Sequence, residues 1–327
     1  MQYILVSGVI LFSACSSNVT DILVRNTGKT QGTFYHIQYI SDGGKDYKDQ
    51  IDSLLLEIDS SLSTYKEYSL ISRLNKGEKI KVDKMFSDVF YAANKVFSES
   101  GGLFDCSIAP LSNYWGFGFE ESLSEIDSAE VLRRLKLVDY SKLQIKNDSL
   151  KLPIGMQLDY NAIAQGYAVD IVSDFLEGKS IVNYLVEIGG ELRANGTNPD
   201  SKLWLVGIDK PTEDSNFQQD FQIILGLENS SLATSGNYRK FKEIDGVKYS
   251  HTISTETGFF AKNRMLSATV IHPSCMFSDA YATTFMTMGV KKSKEFAQNH
   301  KELKVYFVYS DKNGDWKTYS SENLITD

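Results

Sequence analysis

Cysteine, proline and long apolar runs are all scarce in this sequence. Its 327 residues include 3 Cys and 5 Pro. Beyond Cys15 the cysteines are Cys106 and Cys275, which excludes a disulfide framework, and no Cys-x-x-Cys motif is present for a metal or redox centre. A single bridge and two buried thiols remain as alternatives for this pair. The apolar stretch from Tyr3 to Phe12 is too short to span a bilayer.

Clusters of basic residues are missing as well. The chain has 34 Lys and Arg against 42 Asp and Glu, which gives a formal net charge of −8 at pH 7. The absence of a dense Lys/Arg patch argues against DNA or RNA as a partner. The composition is 42% hydrophobic and 12% aromatic, which suffices for a packed core. No linker-like segment divides the chain, so we expect one domain.

The N-terminus is organised like an export signal. The stretch Tyr3 to Phe12 suits the hydrophobic region of a signal peptide, and Phe12-Ser13-Ala14-Cys15 resembles a bacterial lipobox, although Phe12 stands where Leu is usual. We predict a lipoprotein signal peptide over residues 1–15 ending at Cys15, a polar tether over 16–26, and the folded domain over 27–327. The alternative is an ordinary signal peptide with a chance cysteine, and both imply export.

Hydrophobic periodicity predicts helices and strands without a regular βαβ alternation. Helical spacing is found at residues 51–62, 85–97, 163–176 and 291–300, and a further helix is expected around Asp279. Strands are predicted at residues 33–40, 184–188, 204–209, 221–227, 249–253 and 265–272, with hairpins at 143–152 and from 303 onward. This order favours an α+β fold with a mixed, largely antiparallel sheet core flanked by helices.

Asp279 and Thr283 form the most informative pair of polar residues. Four positions apart on a helix, their side chains lie on one face, one turn from each other. A carboxylate and a hydroxyl are hard oxygen ligands of the kind that Mg²⁺ takes, with waters and phosphate oxygens completing its shell. The pair therefore indicates a phosphate-bearing ligand. A capped helix with a Thr bonded to its own turn is the structural alternative.

Four other segments are polar or glycine-rich where a core segment would be apolar. Each is ambiguous alone, because Gly-Gly commonly ends a helix and Asp commonly caps one. A histidine on a strand, such as His251, is also commonly structural. The segments are Ser63-Thr64-Tyr65, Gly102-Leu103-Phe104-Asp105 with the following Trp115-Gly116-Phe117-Gly118, Asp159-Tyr160-Asn161-Ala162-Ile163-Ala164-Gln165-Gly166, and Ser250-His251-Thr252-Ile253.

In this order and spacing the segments resemble the ApbE family of FAD:protein FMN transferases. The resemblance runs from about Gly32 to Gly289 and also includes Gly32-Thr33-Phe34, Glu187-Ile188-Gly189-Gly190-Glu191, Ala233-Thr234-Ser235-Gly236 and Asp279-Ala280-Tyr281-Ala282-Thr283. No Gly-x-x-x-x-Gly-Lys-Ser/Thr or Gly-x-Gly-x-x-Gly motif is present, which argues against P-loop or Rossmann binding of a nucleotide.

The resemblance implies a specific chemistry and a specific set of site residues. Such proteins bind FAD, require Mg²⁺, transfer the FMN half to a Thr or Ser of a client protein and release AMP. The resemblance implies metal ligation by Asp279, Thr283 and the Ala162 carbonyl, and catalysis by His251 or Asp279 as the base. It implies that the FAD site is lined by Gln31, Tyr65, Leu103, Phe104, Asp105, Asp159, Gln165 and Ile253.

Some positions depart from the usual family pattern. Gln31 replaces a Met that packs near the flavin, Gln165 stands where Lys or Glu is common, and Ser254 and Thr255 replace an Asp and a Pro after His251. Two alternative functions stay open, an FAD pyrophosphatase that releases FMN and AMP, and a lipoprotein that holds FAD without turnover. Tyr65 favours transfer, since this residue is the transferase-like state of the motif.

The resemblance also implies clients and a cellular location. Many family members are lipoproteins on the outer face of the inner membrane. We therefore expect an inner-membrane anchor facing the periplasm. The expected clients are flavin-carrying subunits of exported redox complexes, of the sodium-pumping NADH:quinone (Nqr) or Rnf type.

Overall fold

A computed structural model provides the fold of this chain. It describes residues 21–117, 127–209, 221–236, 241–244, 247–250, 252–261 and 263–324. The predicted signal peptide and the candidate catalytic residue His251 lie outside the described residues. Among the described residues, no helix has both the length and the apolarity that crossing a membrane requires.

The strands follow one another along the whole described chain. In order they are β1 (Asp21–Thr30), β2 (Thr33–Asp42), β3 (Ile145–Lys146), β4 (Ser149–Leu150), β5 (Tyr184–Ile188), β6 (Glu191–Asn195), β7 (Trp204–Asp209), β8 (Phe221–Leu227), β9 (Ser230–Gly236), β10 (Phe241–Ile244), β11 (Val247–Ser250), β12 (Met265–His272), β13 (Lys304–Ser310) and β14 (Trp316–Ser320).

The helices fall mainly in the first half and near the C-terminal end. They are α1 (Lys48–Leu62), α2 (Leu70–Asn75), α3 (Lys84–Glu99), α4 (Ala109–Tyr114), α5 (Ser128–Leu135), α6 (Ala164–Gly178), α7 (Cys275–Met288) and α8 (Val290–Asn299). A short 3₁₀ turn covers Tyr140–Lys142.

One eight-stranded sheet forms the centre of the fold. Its strand order is β1-β2-β5-β6-β9-β12-β13-β14, and each neighbouring pair is antiparallel. The predicted α+β class with a largely antiparallel sheet is therefore confirmed. Three two-stranded hairpins, β3–β4, β7–β8 and β10–β11, stand apart from this sheet.

One face of the sheet carries the main core. Helix α1 buries Ile51, Leu55, Ile58 and Leu62, whose spacing of three to four residues gives an apolar stripe. The stripes of α3, α6 and α7 pack in the same cluster against inward side chains of β2, β5, β12 and β13. Helix α3 begins at a capping residue, Asp83, whose Oδ1 accepts a hydrogen bond from the Phe86 amide at 2.8 Å.

Two smaller clusters complete the core. On the opposite face of the sheet, Trp204, Val206 and Ile208 of β7 pack over buried residues of β6, β9, β12 and β13. A third cluster joins α4 and α5 to the loop 252–261 and contains Trp115 and Phe260, whose ring centroids are 4.4 Å apart. This cluster matters for the site, because it fixes the loop that follows residue 251.

The structure corrects the sequence expectations at two places and decides between two alternatives at a third. Residues 21–26 belong to β1, which pairs with β2 over its whole length, so the tether predicted for 16–26 is wrong for these residues. The strand predicted at 249–253 ends at Ser250, and Ile253 forms a separate bridge with Phe260. Cys106 and Cys275 are both free and buried, so the alternative of two buried thiols holds.

Candidate active site

A large cleft opens beside the N-terminal ends of α6 and α7. Its volume is about 1580 Å³. It collects residues from distant parts of the chain, including both members of the Asp279 and Thr283 pair. The residues predicted for the site that lie within the described chain all line it: Gln31, Tyr65, Leu103, Phe104, Asp105, Asp159, Ala162, Gln165, Ile253, Asp279 and Thr283.

Asp279 lies at the buried wall of the cleft. It is 5% exposed, and its Oδ2 accepts a hydrogen bond from the Gly166 amide at 3.1 Å. Desolvation raises the pKa of Asp279 to about 7, while the hydrogen bond from Gly166 lowers it. A carboxylate in this state gains much from a nearby positive charge. One turn later, Thr283 Oγ1 lies 3.1 Å from Ser235 Oγ on β9.

The start of α6 forms the neighbouring wall. Ala162 and Gln165 line the cleft beside Asp279. The Gln165 amide group packs against Gly189, where an added Cβ would lie 1.9 Å from Gln165 Nε2. Gly189 also has φ +65°, a conformation that side chains with a Cβ rarely adopt. The Gly189-Gly190 turn therefore leaves the space that the Gln165 side chain occupies.

Asp159 and Tyr65 lie close together at another part of the cleft. The Asp159 Oδ1 accepts a hydrogen bond from the Asn161 amide at 2.8 Å. Desolvation raises the pKa of Asp159, opposed by hydrogen bonds from Asn161. Burial of its hydroxyl end and the Asp159 charge raise the pKa of Tyr65, although 60% of this residue is exposed. An exposed ring over a cleft is available to stack on a planar ligand.

The carboxylate oxygens of Asp105 accept hydrogen bonds from the protein itself, unlike those of a residue that binds a ligand directly. Its Oδ1 accepts from the Ser107 amide at 2.7 Å and from Ser107 Oγ at 2.6 Å. Its Oδ2 accepts from the Tyr140 amide at 3.1 Å. Both oxygens are thus engaged within the protein, and desolvation raises the pKa of this carboxyl. Asp105 lines the cleft, and its hydrogen bonds tie the loop that carries Leu103 and Phe104 to the turn at Tyr140.

One hydrogen bond joins the loop 101–106 to the loop 252–261, and another joins the first loop to α7. Thr255 Oγ1 donates to the Gly102 carbonyl at 2.8 Å, and Thr287 Oγ1 of α7 donates to the Leu103 carbonyl at 3.2 Å. Trp115 Nε1 holds the second loop through the Gly258 carbonyl at 2.8 Å. Thr255, one of the departures from the family pattern, therefore makes a contact that a proline at that position could not make.

The last two predicted FAD-site residues occupy edges of the cleft. Ile253 is 8% exposed and belongs to the small bridge with Phe260. Gln31 has φ +50° in the turn Gln31-Gly32 between β1 and β2. The turn places Gln31 at the cleft edge with Lys29 and Phe34.

Several cleft residues had not been assigned a role from the sequence. They include Lys29, Lys66, Glu187, Ile208, Thr234 and Ser235. Ser235 belonged to a recognised motif, yet only the structure places its hydroxyl beside Thr283. Lys29 and Lys66 bring positive charge to a cleft whose lining also carries the acidic residues Asp59, Asp105, Asp159, Glu187, Glu191 and Asp279.

The oxygen donors around Asp279 bear on the predicted Mg²⁺ site. Among the described residues, no group of three or more His, Cys, Asp or Glu side chains could hold a metal ion. Mg²⁺ needs fewer protein ligands than that, because it retains waters and binds substrate phosphates. One buried carboxylate and a hydroxyl one turn away, with Ala162 lining the same cleft, fit such a cation.

Comparisons with known proteins match the chain to one protein family. A family model described as "ApbE family" matches residues 31–307. A relative from Vibrio cholerae, named FAD:protein FMN transferase, is 34% identical over 327 residues and covers 97% of this chain and 96% of its own. A relative of the same name from Haemophilus influenzae is 31% identical, with 95% and 94% covered.

Solved structures agree with these sequence relatives. The flavin transferase ApbE from Vibrio cholerae superposes with a TM-score of 0.83 at 34% identity and covers 93% of this chain and 98% of its own. The apo form of the Pseudomonas stutzeri flavinyl transferase ApbE gives a TM-score of 0.81 at 31% identity, with 92% and 95% covered.

Proposed function

Because the chain belongs to the ApbE family, we propose that it is an FAD:protein FMN transferase. It moves the FMN moiety of FAD to a Thr or Ser hydroxyl of a client protein and releases AMP. In this reaction the hydroxyl oxygen bonds to the phosphorus on the FMN side, and the bond from that phosphorus to the bridging oxygen breaks. The hydroxyl proton passes to a base.

The observation that carries the proposal is the convergence on one cleft. Residues from separate segments, between Gln31 and Thr283, line a volume of about 1580 Å³. This volume exceeds the range of about 300–1,000 Å³ that is usual for ligand pockets, as a dinucleotide and an entering client segment require. Asp279 stands at its buried wall, and Lys29 and Lys66 line it.

The chain's own residues can supply positioning, charge and a base. Asp279, Thr283 and the Ala162 carbonyl would hold Mg²⁺, which when bound neutralises charge at the diphosphate. Tyr65 is 60% exposed and lines the cleft, where it can cover a planar group, and Gly189 leaves room for the Gln165 side chain. His251 or the Asp279 carboxylate would accept the client's proton.

We extend the proposal to the location and clients. The lipobox-like Phe12-Ser13-Ala14-Cys15 supports lipidation at Cys15 and an inner-membrane anchor facing the periplasm. The clients would be exported flavin-carrying subunits of redox complexes of the Nqr or Rnf type. Membrane partition of the full chain and of Cys15→Ala tests the anchor, since the variant should be released.

The function itself is tested by direct detection of a flavinylated client. The full chain in mild detergent is mixed with FAD, Mg²⁺ and a candidate client domain, then run on a denaturing gel and imaged for flavin fluorescence. A fluorescent client band is expected, and it should disappear with excess EDTA or when the acceptor Thr of the client is replaced by Ala.

The other outcomes separate the alternatives. A dark client band with FMN and AMP in solution would indicate a pyrophosphatase. A dark band with intact FAD across several clients of different complexes would contradict transferase activity and favour a protein that only holds FAD.

A further inference from the structure

The N-terminus of α7, which carries Asp279 and Thr283, is capped by a different helix. Its own N-cap residue, Ser274, makes no side-chain capping hydrogen bond, and its first turn has no acidic residue. Asp170 of α6 supplies the cap. Its Oδ1 accepts from the Cys275 amide at 2.9 Å, and its Oδ2 accepts from the Met276 amide at 3.0 Å. Ser274 Oγ also donates to Asp170 Oδ2 at 2.6 Å.

The Asp170 carboxylate is itself fixed by burial and by its charged neighbours. It is 8% exposed, and its charge complements the positive end of the α7 dipole. Arg193 of β6 approaches its Oδ1 at 3.3 Å and also binds Asp174 at 2.9 Å and Glu177 at 3.1 Å. The carboxylate is therefore fixed to the sheet on one side and to α7 on the other.

A second polar contact joins α6 to α7 one turn earlier on α6, between Gly166 and Asp279. Gly166 and Asp170 are four residues apart, and so are Cys275 and Asp279 on α7. The Gly166 amide donates to Asp279, while Asp170 accepts from Cys275. An added Cβ on Gly166 would lie 2.4 Å from the Cys275 carbonyl oxygen, so the two helices are in close contact. Two polar contacts thus set the axial position of α7 against α6.

We propose that Asp170 is a positioning residue for the candidate cation site. By capping α7 from α6, it fixes Asp279 and Thr283 relative to the Ala162 carbonyl, which lies two residues before the start of α6. Without it, the Gly166 amide is left, among the described residues, as the polar contact between α6 and α7. The inference rests on the proposed function, because it takes Asp279 and Thr283 as the ligands of the divalent cation.

Direct metal binding tests the proposal separately from turnover. Mn²⁺, which takes the same oxygen ligands as Mg²⁺, is titrated into the full chain loaded with FAD but without a client, and free Mn²⁺ is followed by its electron paramagnetic resonance signal. Asp170→Asn should raise the dissociation constant about 10-fold, which is typical when a residue that orients a metal ligand is changed.

Two control variants in α6 isolate the positioning role. Asp174→Asn removes a carboxylate bound to the same Arg193 at 2.9 Å but on the exposed side of the helix. Leu176→Ala removes buried core volume and lowers stability without touching the cap. Both should leave the dissociation constant within about twofold of wild type, because neither side chain takes part in the cap of α7. Thermal unfolding confirms that each variant is folded at the titration temperature.

A milder variant keeps the test decisive if Asp170→Asn does not fold. Ser274→Ala removes one hydrogen bond to Asp170 Oδ2 and leaves the carboxylate in place, so a smaller rise in the same direction is expected. In the transfer assay, Asp170→Asn should need about 10-fold more Mg²⁺ for half-maximal rate while kcat recovers at saturating Mg²⁺.

The outcomes separate the two levels of the argument. Unchanged Mn²⁺ binding in Asp170→Asn, with binding abolished in Asp279→Asn, would overturn the positioning role alone. An equal loss in Leu176→Ala would also overturn it, because the effect would then follow general stability. Failure of the wild-type chain to bind Mn²⁺ would overturn both the positioning role and the cation site.

Discussion

At the residue scale, the carboxylates that line the cleft differ in how their oxygens are used. Asp105 Oδ1 and Oδ2 both accept hydrogen bonds, from Ser107 and from the Tyr140 amide. Among the described residues, the hydrogen bond to the Asp279 carboxylate comes from the Gly166 amide. Asp105 and Asp279 are both buried aspartates. The same substitution at each position therefore distinguishes a carboxylate with a structural role from one that binds a ligand.

We predict that Asp→Asn lowers the transfer rate at one of these positions and the free energy of unfolding at the other. Asp279→Asn should reduce Mg²⁺-dependent transfer at least about 100-fold, because it removes the charge that would hold the cation, and it should leave the fold intact. Asp105→Asn should lower the free energy of unfolding by about 1–3 kcal/mol, because it disrupts buried hydrogen bonds, and leave the Mg²⁺ requirement unchanged. Denaturant unfolding and a Mg²⁺ titration of the rate measure both quantities.

The reverse pattern would show that the roles are misassigned. A stable Asp105→Asn variant with a raised Mg²⁺ requirement would place Asp105 in the ligand set. Full turnover by Asp279→Asn would remove Asp279 from it.

At the scale of elements, the contact between α6 and α7 decides the geometry of the site. Gly166→Ala places a methyl group 2.4 Å from the Cys275 carbonyl oxygen and 2.9 Å from Asp279 Cβ. We expect a loss of about 1–3 kcal/mol in the free energy of unfolding, together with weaker FAD-dependent Mn²⁺ binding, because backbone atoms must move apart. Thermal unfolding and metal titration measure these effects.

The same helix offers a matched control. Gly178 ends α6 with no atom within 4 Å of an added Cβ. Gly178→Ala should therefore be neutral or stabilise the chain by up to about 1 kcal/mol, because alanine has the higher helix propensity. Equal destabilisation by both variants would mean that the close approach to α7 is not the cause of the effect at Gly166.

Strong hydrophobic patterns made several elements predictable from the sequence. Strands β5, β7, β8 and β12 have the predicted bounds, because apolar and β-branched residues recur in each of them. Helices α1, α3 and α6 follow from their apolar spacing. In these segments local pattern and tertiary burial agree.

Elements with weak local signals were missed for a physical reason. Strand β9 reads Ser-Ser-Leu-Ala-Thr-Ser-Gly, yet it is central, between β6 and β12. Its small side chains face α7, where Ser231 Oγ is 2.8 Å from Ser278 Oγ. Strand β1 lies at the edge of the sheet, and its residues 21–26 were predicted as part of a tether. Such strands are set by their partners, which a local pattern does not reveal.

The candidate site was predictable as a set of segments but not as a set of contacts. Motif order named residues that share one cleft. It could not give Asp105 its internal partners, because Tyr140 lies 35 positions away and only the tertiary fold brings it close. For the same reason Asp170 received no role, since it reads as one more polar position of an amphipathic helix.

At the scale of the whole molecule, Asp279 links the site to stability. Its pKa is raised to about 7 in the folded protein, whereas an unfolded Asp has a pKa of about 3.9. The folded state therefore binds the proton more tightly. The stabilisation from this group is fully present below about pH 4 and is lost as pH rises through about pH 7.

We predict a pH-dependent difference between the wild-type chain and Asp279→Asn in the presence of EDTA. From pH 4 to pH 7 the wild-type chain should lose stability relative to the variant, by an order-of-magnitude ceiling of about 4 kcal/mol. Parallel denaturant unfolding series at several pH values measure this difference. A constant difference across that range would contradict a raised pKa at Asp279.

The strand order of the sheet has a consequence for synthesis. The order β1-β2-β5-β6-β9-β12-β13-β14 rises steadily with position in the chain. Each new strand emerging from the ribosome can therefore join the growing edge without displacing an earlier one. The cleft, by contrast, includes residues from Lys29 to Thr287, so its nucleotide-facing wall is complete only once α7 has been made. A nascent chain that stops before Cys275 would contain most strands of the sheet. It would lack α7, and so it could not bind the dinucleotide.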